Sequence, residues 1–322
     1  VFDLLSSAET TGIFQLESAG MRRYIKELKP SSLNDIAAMV ALYRPGPMQN
    51  IDRYIRAKHG LEPAHYPHPD LEEILRDTYG VIVYQEQVML IAQTFAGYTL
   101  GEADTLRKAM GKKVAEVMRK ERRRFVEGAI KKSFARTLAE EIFQLIEKFA
   151  MYAFNRAHAV SYAYVAYWTA YLKAHYPAEY MASVLSVFID KADKRAPVVA
   201  ECRRLGIKVL PPDINHSEAR FSIETLEDGS PAIRFGLGAV KNVGISVINP
   251  ILESRPAPGG FTSIEDFCRK TDLRRVGKRV VESLIQAGAF NSLGKQGALL
   301  NNLDRILAFS QREARLRETG QA

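Results

Sequence analysis

The stretch FNRAHAVSYAY, residues 154–164, decides the fold, because it opens a helix that is apolar on every side. That helix is predicted over residues 161–176 and has to end before Pro177. Apolar and aromatic side chains surround its axis, so we expect it to run through the centre of a domain. These side chains are Tyr162, Tyr164, Val165, Tyr167, Trp168, Tyr171 and Leu172. Cations and a titratable imidazole therefore stand at the mouth of a buried helix.

Helical periodicity continues through the first 190 residues, which predicts a mainly α chain. Further helices are expected at about residues 21–28, 34–43 (capped by Asn34), 86–96, 100–110, 115–132 and 137–152. Capping boxes at residues 99–102 and 137–140 open two of them, and Gly97 and Gly111 end two. Residues 81–84 form a β-branched run that predicts one short strand.

Two loops of the first half present side chains that could bind a ligand. Residues 44–47, Arg-Pro-Gly-Pro, have to leave the helical conformation, so they present Arg44 at a helix exit. The next loop carries His59, His65 and His68 among prolines. Their spacing matches no helical or knuckle pattern of metal ligands, so a proline-rich surface loop is the better interpretation.

The pattern changes after residue 190. A helix over residues 197–205, a strand over 207–210 and a hairpin around the turn 227–230 predict a small α/β subdomain at 191–231. Short helices then return. Glycine-containing corners at residues 238–244 and at Gly288 are typical of helix-hairpin-helix units, whose backbone N–H groups bind DNA phosphates without reading sequence.

The positive charge of the chain is concentrated in one block. The net charge is +8, while residues 107–136 contain twelve lysines and arginines against three glutamates, a net of +9. Such density favours phosphate binding over a merely solvated helix face. Within this block Lys108 can pair with Asp104, whereas Arg107 lies near the side that is expected to be buried. That side consists of Leu100, Ala103, Leu106 and Met110.

No self-contained catalytic site is visible in the sequence. A two-metal nucleotidyl transferase needs close carboxylates, yet no Asp-x-Asp occurs, and Asp190 and Asp193 lie in a lysine-rich linker. A P-loop would need glycine where Leu106 stands. His158 remains open from the residues alone, between a phosphate or sugar contact and a structural histidine beside an apolar helix.

Composition narrows the class of protein further. No stretch of about 18 uncharged apolar residues predicts a membrane span. Cys202 and Cys268 are far apart, which argues against a disulfide or zinc site and predicts a reducing cytoplasm. From Val1 onward no signal peptide is visible. The sequence ends abruptly at Gln321-Ala322, so we expect a piece of a larger protein.

Several long motifs in order resemble one family. They are TGIFQLES at 11–18, LYRPGP at 42–47, YGVIVYQEQ at 79–87, GYTLGEAD at 97–104, LRKAMGKK at 106–113, the opening stretch at 154–164 and LPPDIN at 210–215. Over essentially its whole length the chain is similar to the fingers region of the bacterial DNA polymerase III alpha subunits, the C-family replicative polymerases.

The resemblance implies a domain order. It implies a multi-lobed helical fingers domain at 1–190, the small α/β subdomain at 191–231, and a tandem helix-hairpin-helix region at 232–322 that starts the clamp-binding part. It also implies template-directed DNA synthesis, with primer-template DNA, dNTPs, a sliding clamp and other replisome subunits as partners. Mg²⁺ would be held by aspartates of a palm domain outside this chain, which itself contributes no catalytic or metal-binding residue.

Site residues carry over by motif. For the dNTP they are Arg107 and His158 first, then Lys108, Asn155 and Arg156, and for DNA Arg44, Lys112, Lys113, Lys241, Asn242 and Gly244. Lys108 and Ala157 stand where the family often has arginine and serine, which puts a bidentate contact and a hydroxyl contact in doubt. The rival hypothesis is a non-enzymatic, sequence-independent DNA-binding module. An independent nucleotide hydrolase is disfavoured by the missing P-loop and carboxylates.

Overall fold

The computed structural model describes residues 1–112, 115–150 and 152–320. They form seventeen α-helices and one three-stranded sheet, which confirms the mainly α prediction. The chain packs as two compact units, Val1–Ala174 and His175–Ala322. The predicted boundaries after residues 190 and 231 concern functional domains and stay predictions.

Unit 1 is helical. Its helices are α1 (Phe2–Ser6), α2 (Ala19–Leu28), α3 (Leu33–Leu42), α4 (Ile51–Lys58), α5 (Asp70–Leu75), α6 (Gln85–Ala96), α7 (Leu100–Lys112), α8 (Ala115–Lys131), α9 (Arg136–Ala150) and α10 (Arg156–His175), of which only the last residue belongs to unit 2. One core joins α1–α4 to α10, and a second joins α5–α9.

The ends of these helices follow from local hydrogen bonds. Thr99 and Glu102 form the predicted capping box, with Thr99 N–H donating to Glu102 Oε2 at 2.9 Å. Gly97, at φ 68°, ends α6 as predicted. The N-cap of α3 is Ser32 rather than Asn34, because the Ser32 hydroxyl accepts from Asp35 N–H while the Asp35 carboxylate accepts from Ser32 N–H.

Four other predictions in unit 1 were wrong. Residues 81–84 form no strand, only an isolated parallel bridge between Tyr84 and Phe154. Helix α7 continues through Gly111 to Lys112, and α9 begins one residue before the predicted cap Thr137. Leu100 is 63% exposed, because it occupies the first turn of α7, whereas the predicted Ala103 and Leu106 are buried.

Helix α10 is central on one face only. Its buried residues are Ala159, Ala163, Ala166, Ala170 and Lys173. Tyr164, Trp168, Tyr171 and Leu172 are exposed, so the prediction of a helix buried on all sides was wrong. Small side chains let the helix pack closely against the core, and the large rings remain on the outer side.

Unit 2 combines helices with the sheet. Its elements are α11 (Pro177–Val187), α12 (Ala192–Arg204), β1 (Lys208–Leu210), β2 (Ser222–Thr225), β3 (Pro231–Arg234), α13 (Ile245–Ser254), α14 (Ile264–Lys270), α15 (Lys278–Gln286), α16 (Gln296–Asn301) and α17 (Leu303–Glu318). Strand β3 lies centrally, parallel to β1 and antiparallel to β2, so the predicted hairpin is confirmed. Helix α12 begins before its predicted start and contains Pro197.

Candidate functional site

The candidate site of unit 1 is assembled by one short backbone contact. Phe154 N–H donates to Val83 O, and Gln85 N–H donates to Phe154 O, both at 2.9 Å. These two bonds hold the first residue of α6 beside the segment that leads into α10. Segments about seventy residues apart in sequence therefore meet at the starts of two helices.

Glu86 fixes the start of α10. Its carboxylate accepts from Arg156 N–H at 3.0 and 3.1 Å and from Asn155 Nδ2 at 3.2 Å. Asn155 Oδ1 in turn accepts from His158 N–H at 2.8 Å. A carboxylate and an amide oxygen thus satisfy the free N–H groups of a helix N-terminus, where the macrodipole favours negative charge. For this reason α10 begins at Arg156, five residues before the predicted start.

Arg156 extends this network. One guanidinium nitrogen lies 3.2 Å from Asp77 Oδ2, and the guanidinium carbon lies 5.6 Å from the ring centroid of Tyr84. Its side chain is 43% exposed, so the cation is held in place while it still faces solvent.

Arg107 connects α7 to the start of α6. Its guanidinium donates to Asp104 Oδ1 at 2.8 and 2.9 Å and to Gln85 Oε1 at 3.2 Å. Lys108 Nζ lies 2.7 Å from the other oxygen of Asp104. The Lys108 and Arg107 hydrogen bonds lower the pKa of Asp104. Arg107, predicted ahead of Lys108 as a nucleotide contact, has more partners than Lys108 and is 30% exposed against 63% for Lys108.

His158 lies in an aromatic row at the same helix end. Its ring centroid is 4.2 Å from that of Tyr162 and 5.3 Å from that of Phe154, and Tyr162 is 5.3 Å from Phe14. The residue is exposed. Within the described part of the chain its ring nitrogens have no hydrogen-bond partner, so His158 is not a satisfied core histidine.

Three of the five predicted nucleotide contacts are thus linked by hydrogen bonds through Gln85 and Glu86. The three are Arg107, Asn155 and Arg156, while Lys108 and His158 adjoin them through Asp104 and through the first turn of α10. The linking role of Gln85, Glu86 and Asp77 was not predicted. An acidic residue in the first turn of α6 was visible in the sequence, but its partner on α10 was not.

Arg44 has partners within the protein. Its Nε donates to Ala41 O and its Nη2 to Tyr152 O, both at 2.8 Å, and its guanidinium lies 4.3 Å from the Phe154 centroid. Burial lowers the pKa of Arg44. This side chain therefore stabilises the segment that leads into α10. Its contact with DNA stays a prediction. Lys113 and the side chain of Lys112 lie outside the described residues.

Unit 2 contains two hairpins that each close with a backbone hydrogen bond from a valine N–H. Val243 N–H donates to Val240 O at 3.0 Å just before α13, and Val276 N–H donates to Leu273 O at 3.2 Å just before α15. Both valines are buried and each is followed by glycine. The second hairpin therefore lies at residues 271–277, not at the predicted Gly288, which follows the C-terminus of α15 at φ 82°.

The repeat was visible in the sequence. KNVGISV at 241–247 and RRVGKRV at 274–280 share the Val-Gly step and a valine three residues later. Gly277, at φ 86°, has a left-handed backbone that favours glycine, and the valine that precedes each glycine anchors its hairpin in the core. We missed it because Gly288 was the more conspicuous break.

The first hairpin leaves donors available to a ligand. Lys241, Asn242 and Gly244 are exposed, and among the described residues their backbone N–H groups have no acceptor. Asn242 has a left-handed backbone at φ 66°. Its side chain accepts from Arg279 at 2.9 Å and donates to Ser283 Oγ at 3.2 Å, so α15 holds the first hairpin in shape.

Two absences concern the described residues only. No group of three His, Cys, Asp or Glu side chains there is placed to hold a metal ion. The carboxylates nearest the candidate site, Asp77, Glu86 and Asp104, are engaged by the cations and N–H groups described above. No described helix has both the length and the apolar character needed to cross a membrane.

Comparison with known proteins identifies the family of this chain. Residues 1–133 match the family described as the bacterial DNA polymerase III alpha subunit finger domain, and residues 206–299 match a helix-hairpin-helix motif. The chain is 47% identical over 329 aligned residues to DNA polymerase III subunit alpha of Escherichia coli K12, covering 100% of the chain and 28% of that protein. It is 48% identical to DNA polymerase III subunit alpha of Bacillus subtilis, covering 96% of the chain and 27% of that protein. It is also 48% identical to the subunit of Thermus aquaticus, covering 100% of the chain and 26% of that protein.

A helical fingers unit joined to paired hairpins defines a region of a bacterial replicative DNA polymerase. The chain belongs to the family of DNA polymerase III alpha subunits. It spans about a quarter of the length of the relatives it matches.

Proposed function

We propose that this chain binds the incoming dNTP and the primer-template duplex for template-directed 3′-extension by a DNA-directed DNA polymerase, a nucleotidyltransferase. The observation that carries the proposal is the network at the starts of α6 and α10. Gln85 accepts from the Arg107 guanidinium, Glu86 fixes the backbone N–H of Arg156, and Asp77 holds the Arg156 guanidinium. Two fixed cations that remain partly exposed favour a phosphate ligand.

On binding, the phosphates of the nucleotide would replace Asp104 as the partner of Arg107 and Lys108. Arg107 and Lys108 share one exposed carboxylate, Asp104, and a triphosphate offers more charge and more acceptor oxygens than that carboxylate. Arg107 provides a planar donor fork and Lys108 a point charge. His158 and Asn155, at the first turn of α10, are placed to contact phosphate or sugar.

The hairpins of unit 2 would bind the duplex. Backbone N–H groups of Lys241, Asn242 and Gly244, with the Lys241 ammonium, suit a phosphate contact that carries no sequence information. Arg44, Lys112 and Lys113 are proposed as further DNA contacts. The 107–136 block adds a long-range attraction that depends on salt.

The remaining parts of the reaction lie outside this chain in our proposal. Among the described residues no group of His, Cys, Asp or Glu side chains fits a metal ion. We propose that a palm domain elsewhere in the full-length protein supplies the carboxylates that hold Mg²⁺. The sliding clamp and other replisome subunits would bind the full-length protein, which we place in the cytoplasm.

Nucleotide binding can be measured through the sole tryptophan. Trp168 lies on α10, roughly 15 Å along the helix from His158. Energy transfer from Trp168 to mant-dATP is expected when primer-template DNA is present. Arg107→Gln is expected to weaken binding roughly ten-fold or more, because a charge-assisted hydrogen bond to phosphate is lost.

Lys120→Gln is the matched control, since Lys120 is an exposed cation of α8 and has no partner in this network among the described residues. It is expected to bind mant-dATP like the unsubstituted chain. An equal loss of mant-dATP affinity in Arg107→Gln and Lys120→Gln would mean that only the net charge of the chain matters. If neither this chain nor one extended through the palm binds nucleotide, while duplex binding stays steep in salt, the non-enzymatic DNA-binding module is the better description.

A further inference from the structure

We infer that helix α17 competes with DNA for the second hairpin, so that the two hairpins are unequal duplex sites. The inference rests on the proposed function of the hairpins as phosphate-binding elements. It concerns the cations Arg274 and Lys278 of the second hairpin and the carboxylates Asp304 and Glu318 of α17.

The N-terminal end of α17 covers the first of these cations. Lys278 is the first residue of α15, directly after Gly277, where a hairpin presents its donors to a phosphate. Its Nζ lies 2.6 Å from Asp304 Oδ1. Asp304 is held in position because the preceding residue, Leu303, is buried in the core of the hairpin region. The ion pair raises the pKa of Lys278.

The C-terminal end of α17 covers the second cation. Arg274 Nη2 lies 2.6 Å from Oε1 of Glu318, the last residue of α17. The same guanidinium pairs with both oxygens of Asp272, at 2.8 and 2.9 Å, within the hairpin. Helix α17 therefore runs past the second hairpin and places a carboxylate on a cation at each end.

The first hairpin has no such cover. Lys241 is exposed and has no carboxylate partner among the described residues, and three neighbouring N–H groups lack an acceptor there. Each hairpin closes with a valine N–H bonded to a carbonyl three residues earlier, and the two differ in what faces their cations. A phosphate can approach the first directly, whereas at the second it has to displace a carboxylate.

The size of the effect follows from the exposure of the pairs. Asp304 is 82% exposed and Lys278 is 57% exposed, so water and salt weaken their attraction. We therefore expect α17 to lower duplex affinity a few-fold and not to abolish it. A cation that exchanges a carboxylate for a phosphate also releases fewer counterions than a free cation, so the salt dependence is shallower.

The test is duplex binding by the 322-residue chain. Fluorescence anisotropy with a labelled 20-base-pair duplex is recorded across a KCl series. Asp304→Asn is expected to tighten binding about two- to five-fold at low salt and to steepen the plot of log K against log salt. Glu318→Gln should have a smaller effect, because Asp272 still holds Arg274.

Two comparisons separate the specific pair from net charge. Glu227→Gln removes one exposed negative charge in the β2–β3 turn and is expected to leave affinity unchanged. The gain from Asp304→Asn should disappear in a Lys278→Gln background, since no covered cation remains. Thermal melts by circular dichroism check that each variant is folded.

The possible outcomes separate competition by α17 from the proposed binding of DNA by the hairpins. Duplex binding that Lys241→Gln weakens, together with an Asp304→Asn variant indistinguishable from the unsubstituted chain, would overturn the competition and leave the hairpins as DNA sites. A gain that persists without Lys278 would also overturn it. No duplex binding at any salt would instead remove the proposed role of the hairpins.

Discussion

Lys173 shows how a single buried charge supports the candidate nucleotide site. It is 2% exposed on α10, and its Nζ donates to Glu9 O at 2.6 Å and to Thr11 O at 3.0 Å. The loop that it fastens carries Phe14, whose ring contacts Tyr162 in the aromatic row beside His158. An ammonium group can be buried here because carbonyl oxygens replace its water.

Lys173→Met is expected to lower the free energy of unfolding by roughly 2–4 kcal/mol, because the partly buried carbonyls of Glu9 and Thr11 lose their donor. Urea unfolding followed by circular dichroism measures the change. Lys120→Met removes an exposed lysine from α8 and should leave stability within about 0.5 kcal/mol. A Lys173→Met variant as stable as this control would contradict the assigned role.

At this scale the sequence predicted which residues cluster but not how they are engaged. Arg107 and Lys108 were predicted as neighbouring cations, and the partner Asp104 follows from helical spacing. The bond from Arg107 to Gln85 joins different helices, so spacing along α7 could not reveal it. The sequence therefore predicted the ion pairs within α7 and not the bond between the two helices.

Helices α6 and α8 approach each other so closely that only glycine fits at one point. A Cβ built on Gly128 would lie 2.3 Å from Ala96 O, a backbone atom that cannot move aside cheaply. The contact aligns the C-terminal end of α6, whose N-terminal end carries Gln85 and Glu86. Close packing of these two helices thus supports the site from its far end.

Gly128→Ala is expected to destabilise the protein by about 1–3 kcal/mol, because the overpacking exceeds the gain in helix propensity. Gly101→Ala in α7 meets nothing within 4 Å and should stabilise by up to about 1 kcal/mol. Thermal melts of both variants compare the same chemical change in two environments. Stabilisation by both would show that the α6–α8 contact yields easily.

The positions of the helices along the chain were predicted better than the residues that pack against them. Capping residues near α6 and α7 predicted where those helices begin or end, because caps are local. The start of α10 was missed by five residues because its N-terminus is satisfied by Glu86 from another helix. Its alanine face was overlooked because rings dominate a hydrophobicity pattern, while small residues decide close packing.

Across the whole molecule, acidic side chains are held charged by their neighbours. Hydrogen bonds from Lys108 and Arg107 lower the pKa of Asp104, and those from Arg274 lower the pKa values of Asp272 and Glu318. Glu102 has a lowered pKa through hydrogen bonds from Thr99 and Arg124. Both compact units contain such groups.

Stability is therefore expected to fall on acidification. A carboxylate with a lowered pKa in the folded state binds fewer protons than in the unfolded chain, so its contribution is fully present above the unfolded values of 3.8 and 4.5. This stabilising contribution is lost as the pH falls through the lower pKa that the carboxylate has in the folded state. Melting temperatures from pH 7 to pH 3 should be flat and then drop. Asp104→Asn should flatten the drop, and an unchanged profile would contradict this account.

The mainly α architecture and the small mixed sheet were predictable because periodicity and turn residues act locally. Division into units at 174/175 was not, since it depends on which helices pack together. The second hairpin could have been predicted from the repeated motif at 274–280. Its ion pair with α17 could not, because Asp304 is nearly thirty residues further along the chain.

The backbone contact between residues 83–85 and Phe154 has a consequence for measurement. The amide hydrogens of Gln85 and Phe154 are both donated across it, so they can exchange with deuterated solvent only when the two helix starts separate. Their exchange rates therefore report the opening of this site alone, without any nucleotide, probe or catalytic partner present.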